Sequence, residues 1–215
     1  MSSRGLFITL EGSEGAGKST QLPLIQATLA QLGYPVLLTR EPGGSPIAER
    51  VRQVLLDPDC QGMSANAELL LVFAARAEHL EKIILPALEL GVWVVCDRFT
   101  DASYAYQGGG RGVEPGRIAE LEHWVQGKFR PDLTLLFDLP VAMGLERAGK
   151  RSAPDRFESE TERFFSGVRS AYLARARAEP ERMRLIDASA PLAQVSQAVV
   201  TLIRAFATGE GVAPR

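Results

Sequence analysis

Apolar residues along this chain fall into two kinds of run. Five are short, rich in branched side chains and bounded by charged or turn residues, at 6–10, 36–39, 92–96, 133–137 and 183–186. Runs of that length and composition predict strands. Their apolar positions are consecutive rather than alternating, so both faces need covering, which favours a parallel sheet between two layers of helices. The intervening segments 18–32, 47–56, 65–90, 115–126, 141–147, 160–178 and 191–207 carry apolar residues at helical spacing. Segment 65–90 is long for one helix, and Pro86 is expected to kink it or end its first part. No repeat, low-complexity tract or linker divides the sequence, so one domain over 1–208 is expected, with 209–215 a flexible tail.

Composition narrows the class. Of 215 residues, 46% are hydrophobic and 23% charged, and the net charge is -2, which gives no global positive field for nucleic acid. Any anion site must therefore be local. Arg supplies 20 of the 24 cations, and its planar fork of donors suits phosphate and carboxylate. Cys60 and Cys96 match no metal-ligand spacing and read as reduced thiols. The apolar run 6–10 is too short for a signal peptide or membrane span. A cytoplasmic enzyme that meets neither membrane nor nucleic acid is the expectation.

The chemistry concentrates in one segment. Gly12-Ser13-Glu14-Gly15-Ala16-Gly17-Lys18-Ser19 follows the first predicted strand and opens the first predicted helix, the context a phosphate-binding loop requires. Glycines let successive backbone N–H groups curl around phosphate oxygens, the helix N-terminus adds its positive end, Lys18 reaches the β and γ oxygens, and Ser19 ligates Mg²⁺. Thr20 continues the loop into the helix. The fold class is thus α/β, a three-layer phosphate-loop NTPase fold with a five-stranded parallel sheet and helices on both faces.

Such a loop serves kinases, motors and switches alike. Asp97-Arg98 ends the third predicted strand, at the carboxyl edge where open α/β sheets bind ligands. There Asp97 can hold a magnesium water shell and Arg98 can clamp a phosphate. Residues 147–156, with Arg147, Lys150, Arg151 and Arg156, form a basic segment suited to a lid over a transferring phosphoryl group. In 101–112, Ser103, Tyr106 and Gln107 offer hydroxyl, ring and amide groups, while Gly108 to Gly110 let the chain turn around a ligand. A guanine-reading Asn-Lys-x-Asp segment is absent. Two rivals stay open: a phosphate-loop ATPase switch, and a kinase for another nucleoside monophosphate.

Taken together, the phosphate loop, Thr39-Arg40-Glu41-Pro42-Gly43-Gly44, Phe73-Ala74-Ala75-Arg76, Asp97-Arg98, Tyr106-Gln107-Gly108-Gly109-Gly110-Arg111-Gly112 and Arg130-Pro131-Asp132-Leu133-Thr134 resemble the bacterial thymidylate kinases. The resemblance implies Mg²⁺-dependent phosphoryl transfer from ATP to dTMP by a homodimer built on the long helices. It implies that ATP lies on Gly12, Ser13, Glu14, Gly15, Ala16, Gly17, Lys18, Ser19, Thr20 and Arg147. Glu14 also faces the sugar 3′-hydroxyl of dTMP, Arg40, Glu41, Arg52 and Arg98 surround its phosphate, Pro42 and Asp97 also bind dTMP, and Tyr106 packs under the sugar and disfavours a 2′-hydroxyl. Arg76, Gln107 and Ser103 read the thymine edge. The metal falls to Ser19 and Asp97, and adenine to the loop 187–191. One branch of the family has Arg where this chain has Gly15, so the lid, spanning about 147–157, is expected to supply Arg147 and Arg151 as catalytic cations beside Lys18 and Arg98. The usual stacking aromatic falls at Val72, leaving Phe73 as the expected ring. His79 and His123 read as structural.

Overall fold

The computed structural model describes residues 4–149 and 155–209. Five parallel strands, β1 (Phe7–Glu11), β2 (Val36–Arg40), β3 (Trp93–Asp97), β4 (Leu133–Asp138) and β5 (Met183–Asp187), stand in the order β2-β3-β1-β4-β5. The chain leaves β1 for the edge, returns to β3 beside β1, then crosses to β4 on the other flank. That reversal opens a crevice at the carboxyl ends of β1 and β3, where such sheets bind ligands.

Alternation along β1 divides the core. Ile8 and Leu10 join one layer with α1 (Lys18–Gln31) and α9 (Leu192–Thr208), through Ile25, Leu29, Val195, Val199 and Ile203. Phe7 joins the opposite layer with Leu80, Ile84, Leu88 and Phe99. Thr9 and Glu11 share that second face, and both are fully buried; Thr9 Oγ1 meets Thr134 Oγ1 at 2.7 Å. The remaining helices are α2 (Pro46–Leu56), α3 (Ala65–His79), α4 (Leu85–Glu89), α5 (Thr100–Ser103), α6 (Pro115–Gln126), α7 (Val141–Ala148) and α8 (Glu162–Ala178). No described helix is long and apolar enough to cross a membrane.

Two departures from expectation have local causes. A π-helical turn, Leu80–Ile84, joins α3 to α4, so the long helix continues to Glu89 with its irregularity just ahead of Pro86. The ring lacks an N–H, and the widened turn accommodates that loss without ending the helix. The second departure is larger, because 101–112 is no glycine loop. After α5 the chain continues as a π-helical segment, Tyr104–Gly110. Its glycines admit α8: a Cβ on Gly109 would stand 2.4 Å from the Gly167 carbonyl oxygen, and one on Gly110 2.4 Å from the Phe164 ring. They serve helix packing, and the chain does not turn around a ligand there.

Candidate active site

The phosphate loop links β1 to α1. Its backbone conformation needs glycine at Gly12 (φ 138°) and Gly15 (φ 71°), regions that L side chains rarely enter. A Cβ on Gly15 would also lie 2.1 Å from the Gly144 carbonyl oxygen of α7. Lys18 is buried and donates to the carbonyls of Gly12 (2.9 Å) and Ser13 (3.1 Å). Burial, then the charge of Arg98, lowers its pKa from the ordinary value.

Arg98 joins the loop to Tyr106 across the cavity. It donates to Gly12 O (2.8 Å) and Glu14 Oε1 (2.5 Å), with its guanidinium carbon 4.8 Å from the Tyr106 ring centroid. Arg98 is the non-glycine residue with positive φ, 69°, among those described, and strain of this kind persists where the surroundings hold it. The next residue supplies the hold, since Phe99 N donates to Glu11 Oε1 at 2.7 Å. The Tyr172 hydroxyl of α8 bonds Glu11 Oε2 at 2.7 Å. Burial, then the nearby charge of Asp101, pushes the Glu11 carboxyl up to about 8. Glu11 does not line the cavity, but it braces the turn that carries Arg98, a role that motif reading missed.

One cavity of about 230 Å³ takes in residues 14–19 of the loop together with Glu41, Pro42, Arg52, Arg76, Asp97, Arg98, Ser103, Tyr106 and Gln107. Arg52 donates to Pro42 O at 2.8 Å. Arg76, 1% exposed, donates through Nε to Glu41 Oε2 (2.8 Å) and through NH2 to Phe99 O (3.2 Å) and Ser103 Oγ (3.0 Å). Its NH1 is buried with no hydrogen-bond partner among the described residues, as is Asp97 Oδ1. Glu41 spends its second oxygen on His79 Nδ1 (3.0 Å), whose Nε2 meets Thr39 Oγ1 at 2.7 Å. His79 therefore braces Glu41, and Glu41 braces Arg76.

Several expected residues stand elsewhere. Phe73 does not line the cavity; Val72 does. The Phe73 ring packs with Leu69, Val113 and Ile118 and lies 4.6 Å from the Arg76 guanidinium, so it supports that side chain from outside the cavity. Arg40 points outward to Glu49 (2.9 Å) with its side chain 55% exposed. Gly12, Ser13 and Thr20 lie behind the cavity-lining part of the loop. Arg147 donates to Ala188 O (2.9 Å), on the loop after β5. Arg156 is buried against Leu55 O (2.7 Å) and Glu68 Oε2 (2.7 Å), and so is no mobile lid cation. Lys150 and Arg151 lie outside the described residues. Asp155 and Phe157, expected only as part of a basic lid, line the cavity together with Glu158, which no sequence motif marked.

The comparisons settle the family. A profile described as thymidylate kinase matches residues 10–199. The chain belongs to the thymidylate kinase family. It is 62% identical over 199 residues to a thymidylate kinase of Pseudomonas savastanoi pv. phaseolicola, covering 93% of this chain and 95% of that one. Against the thymidylate kinase of Pseudomonas entomophila the identity is 58% over 199 residues, with the same coverage. A crystal structure of thymidylate kinase from Ehrlichia chaffeensis superposes with a TM-score of 0.76 at 33% identity, over 94% of this chain and 99% of that one. Within this family the fold is that of the phosphate-loop NTPases, and the cavity is the place to seek the phosphoryl acceptor.

Proposed function

We propose that this chain transfers the γ-phosphoryl group of ATP to dTMP, giving ADP and dTDP. The observation that carries the reading is a donor and an acceptor on side chains that line the same cavity. Arg76 NH1 is a buried donor in want of an acceptor. Gln107 spends its Nε2 on Glu68 Oε1 at 2.9 Å, and a carboxylate accepts only, so the amide turns its oxygen to the ligand. Thymine offers O4 to the donor and N3–H to the acceptor. Cytosine reverses both groups, and a site built on hydrogen bonds rejects such a mismatch strongly. Arg98 and Arg52 hold the acceptor phosphate, Tyr106 lies under its sugar, and Lys18 meets the transferring group.

The orphaned Asp97 Oδ1 and the Ser19 hydroxyl on the same cavity fit a hydrated Mg²⁺. When bound, the ion neutralises phosphate oxygens and aligns them. With Gly15 giving no side chain, the cations that meet the spreading charge are Lys18, Arg98 and the lid pair Arg147 and Arg151. ATP places its adenine on the loop 187–191, beside Arg147. We assign the working form as a cytoplasmic homodimer. Its support is the apolar surface of α3 and α6, where Leu70, Leu121 and Trp124 flank a groove and Trp124 is 81% exposed, a patch of the sort that marks interfaces.

Coupled ADP release over a panel of monophosphates tests the function. ADP formation that requires dTMP or dUMP, and fails with dCMP and dAMP, is the expected result. Hydrolysis of ATP with no acceptor present would point to a switch instead.

A further inference from the structure

Glu68 belongs to no phosphate or base motif, yet three side chains converge on it. It is fully buried in the first turn of α3. Its Oε1 accepts from Gln107 Nε2 (2.9 Å) and Arg111 Nε (3.3 Å), its Oε2 accepts from Arg111 Nε (3.1 Å), and the same Oε2 forms an ion pair with Arg156 NH2 (2.7 Å). Arg111 also pairs with Glu160, and Arg156 with Leu55 O. Charge balance needs only the two guanidiniums. The bond to Gln107 is the additional one, and it falls on the residue that faces the base.

We infer that Glu68 is a positioning residue that sets the base preference by fixing which end of the Gln107 amide faces the acceptor. This rests on the assignment of Gln107 above. An amide held by nothing turns over readily and reads either an N3–H donor or an N3 acceptor, because its two ends are nearly alike in shape. Against Glu68 the turned amide would bring its oxygen onto carboxylate oxygens where both side chains are buried, leaving polar groups unpaired. The orientation that accepts from thymine N3–H is thereby the one retained. The same carboxylate holds Arg156, next to Phe157 in the cavity wall, so the base reader and that wall share one anchor.

The test compares Glu68→Gln, Glu68→Asp, Gln107→Ala and the double variant Glu68→Gln with Gln107→Ala. For each, kcat and KM are measured with dTMP and with dCMP by coupled ADP release. Glu68→Gln can donate to a turned Gln107, so the dTMP to dCMP efficiency ratio should fall by roughly tenfold to a hundredfold, the scale of one lost hydrogen-bond discrimination. For dTMP the loss should fall on KM more than on kcat. In the Gln107→Ala background, Glu68→Gln should leave the ratio unchanged, which a merely structural role would not produce. Glu68→Asp keeps the charge between the two arginines but withdraws it by one methylene, and should lower the ratio in the same direction even if Glu68→Gln does not fold. A fall with Gln107→Ala but none with either Glu68 variant would overturn the inference while leaving the base reading standing. Equal effects of Glu68→Gln in both backgrounds would also overturn it. No effect of Gln107→Ala would remove the base reading, and the inference with it.

Discussion

Lys18 rests on the carbonyls of its own loop, a hold that a phosphate oxygen must replace during turnover. Lys18→Ala should lower kcat by about 10²–10³-fold or more, the usual loss for one transition-state donor, with thermal unfolding shifted little. A ribose-bearing acceptor tests Tyr106, whose ring is flanked by Phe157, Phe164 and Tyr172 and so cannot recede. Tyr106→Ala should narrow the preference for dTMP over ribo-TMP by ~1–3 kcal/mol, the cost of forcing an extra group into a packed site; an unchanged efficiency ratio would move that role elsewhere. Glu11 gives a pH signature. Its carboxyl is raised from 4.5 to about 8 in the fold, so its contribution is whole below about pH 4.5 and is lost as pH rises through 8. Stability should therefore fall across pH 5–8 by on the order of 1 kcal/mol per pH unit from this group. Glu11→Gln should show a shallower fall in Tm over that window. The loop residues were legible because their chemistry lies in one contiguous segment. Glu11 and Glu68 were not, since each takes its meaning from partners far along the chain, and a Glu in the first turn after the Ser64 cap reads simply as a charge suited to a helix start.

Among elements, all five strands and every described α-helix but α5 fell on the periodic runs, and the errors at the strand ends share a cause. Each apolar run closes on a charged residue, Glu11, Arg40, Asp97, Asp138 or Asp187, and the ladder includes that residue. Side-chain polarity marks where the core stops, whereas the backbone pairs one position further, and that position carries the chemistry of Asp97. Thr100–Gly110 was invisible as a helix because three glycines in succession carry a low helical propensity. Contact with α8 outweighs it. Gly109→Ala should consequently destabilise the fold by ~1–3 kcal/mol, as overpacking does, although alanine favours helix over glycine; urea unfolding would read the sign. A stabilised variant would mean that the helices do not abut there.

For the whole molecule, the exposed Trp124 and Leu70 have a consequence for assembly. Trp124→Asp should move the sedimentation velocity profile from dimer toward monomer, since a charge at the centre of an apolar contact lacks a partner. A dimer unaffected by it would have to use another surface.

The meeting of Gly15 with Gly144 reaches beyond this one chain. Where two backbones touch with no room for a Cβ, neither position can change alone. A relative bearing arginine at the loop position is therefore expected to carry the counterpart of α7 further from its loop. The phosphate loop and α7 are thus a single unit of inheritance, and in a gene shuffled between the two branches, residues 12–19 and 141–148 should survive only when they come from the same parent.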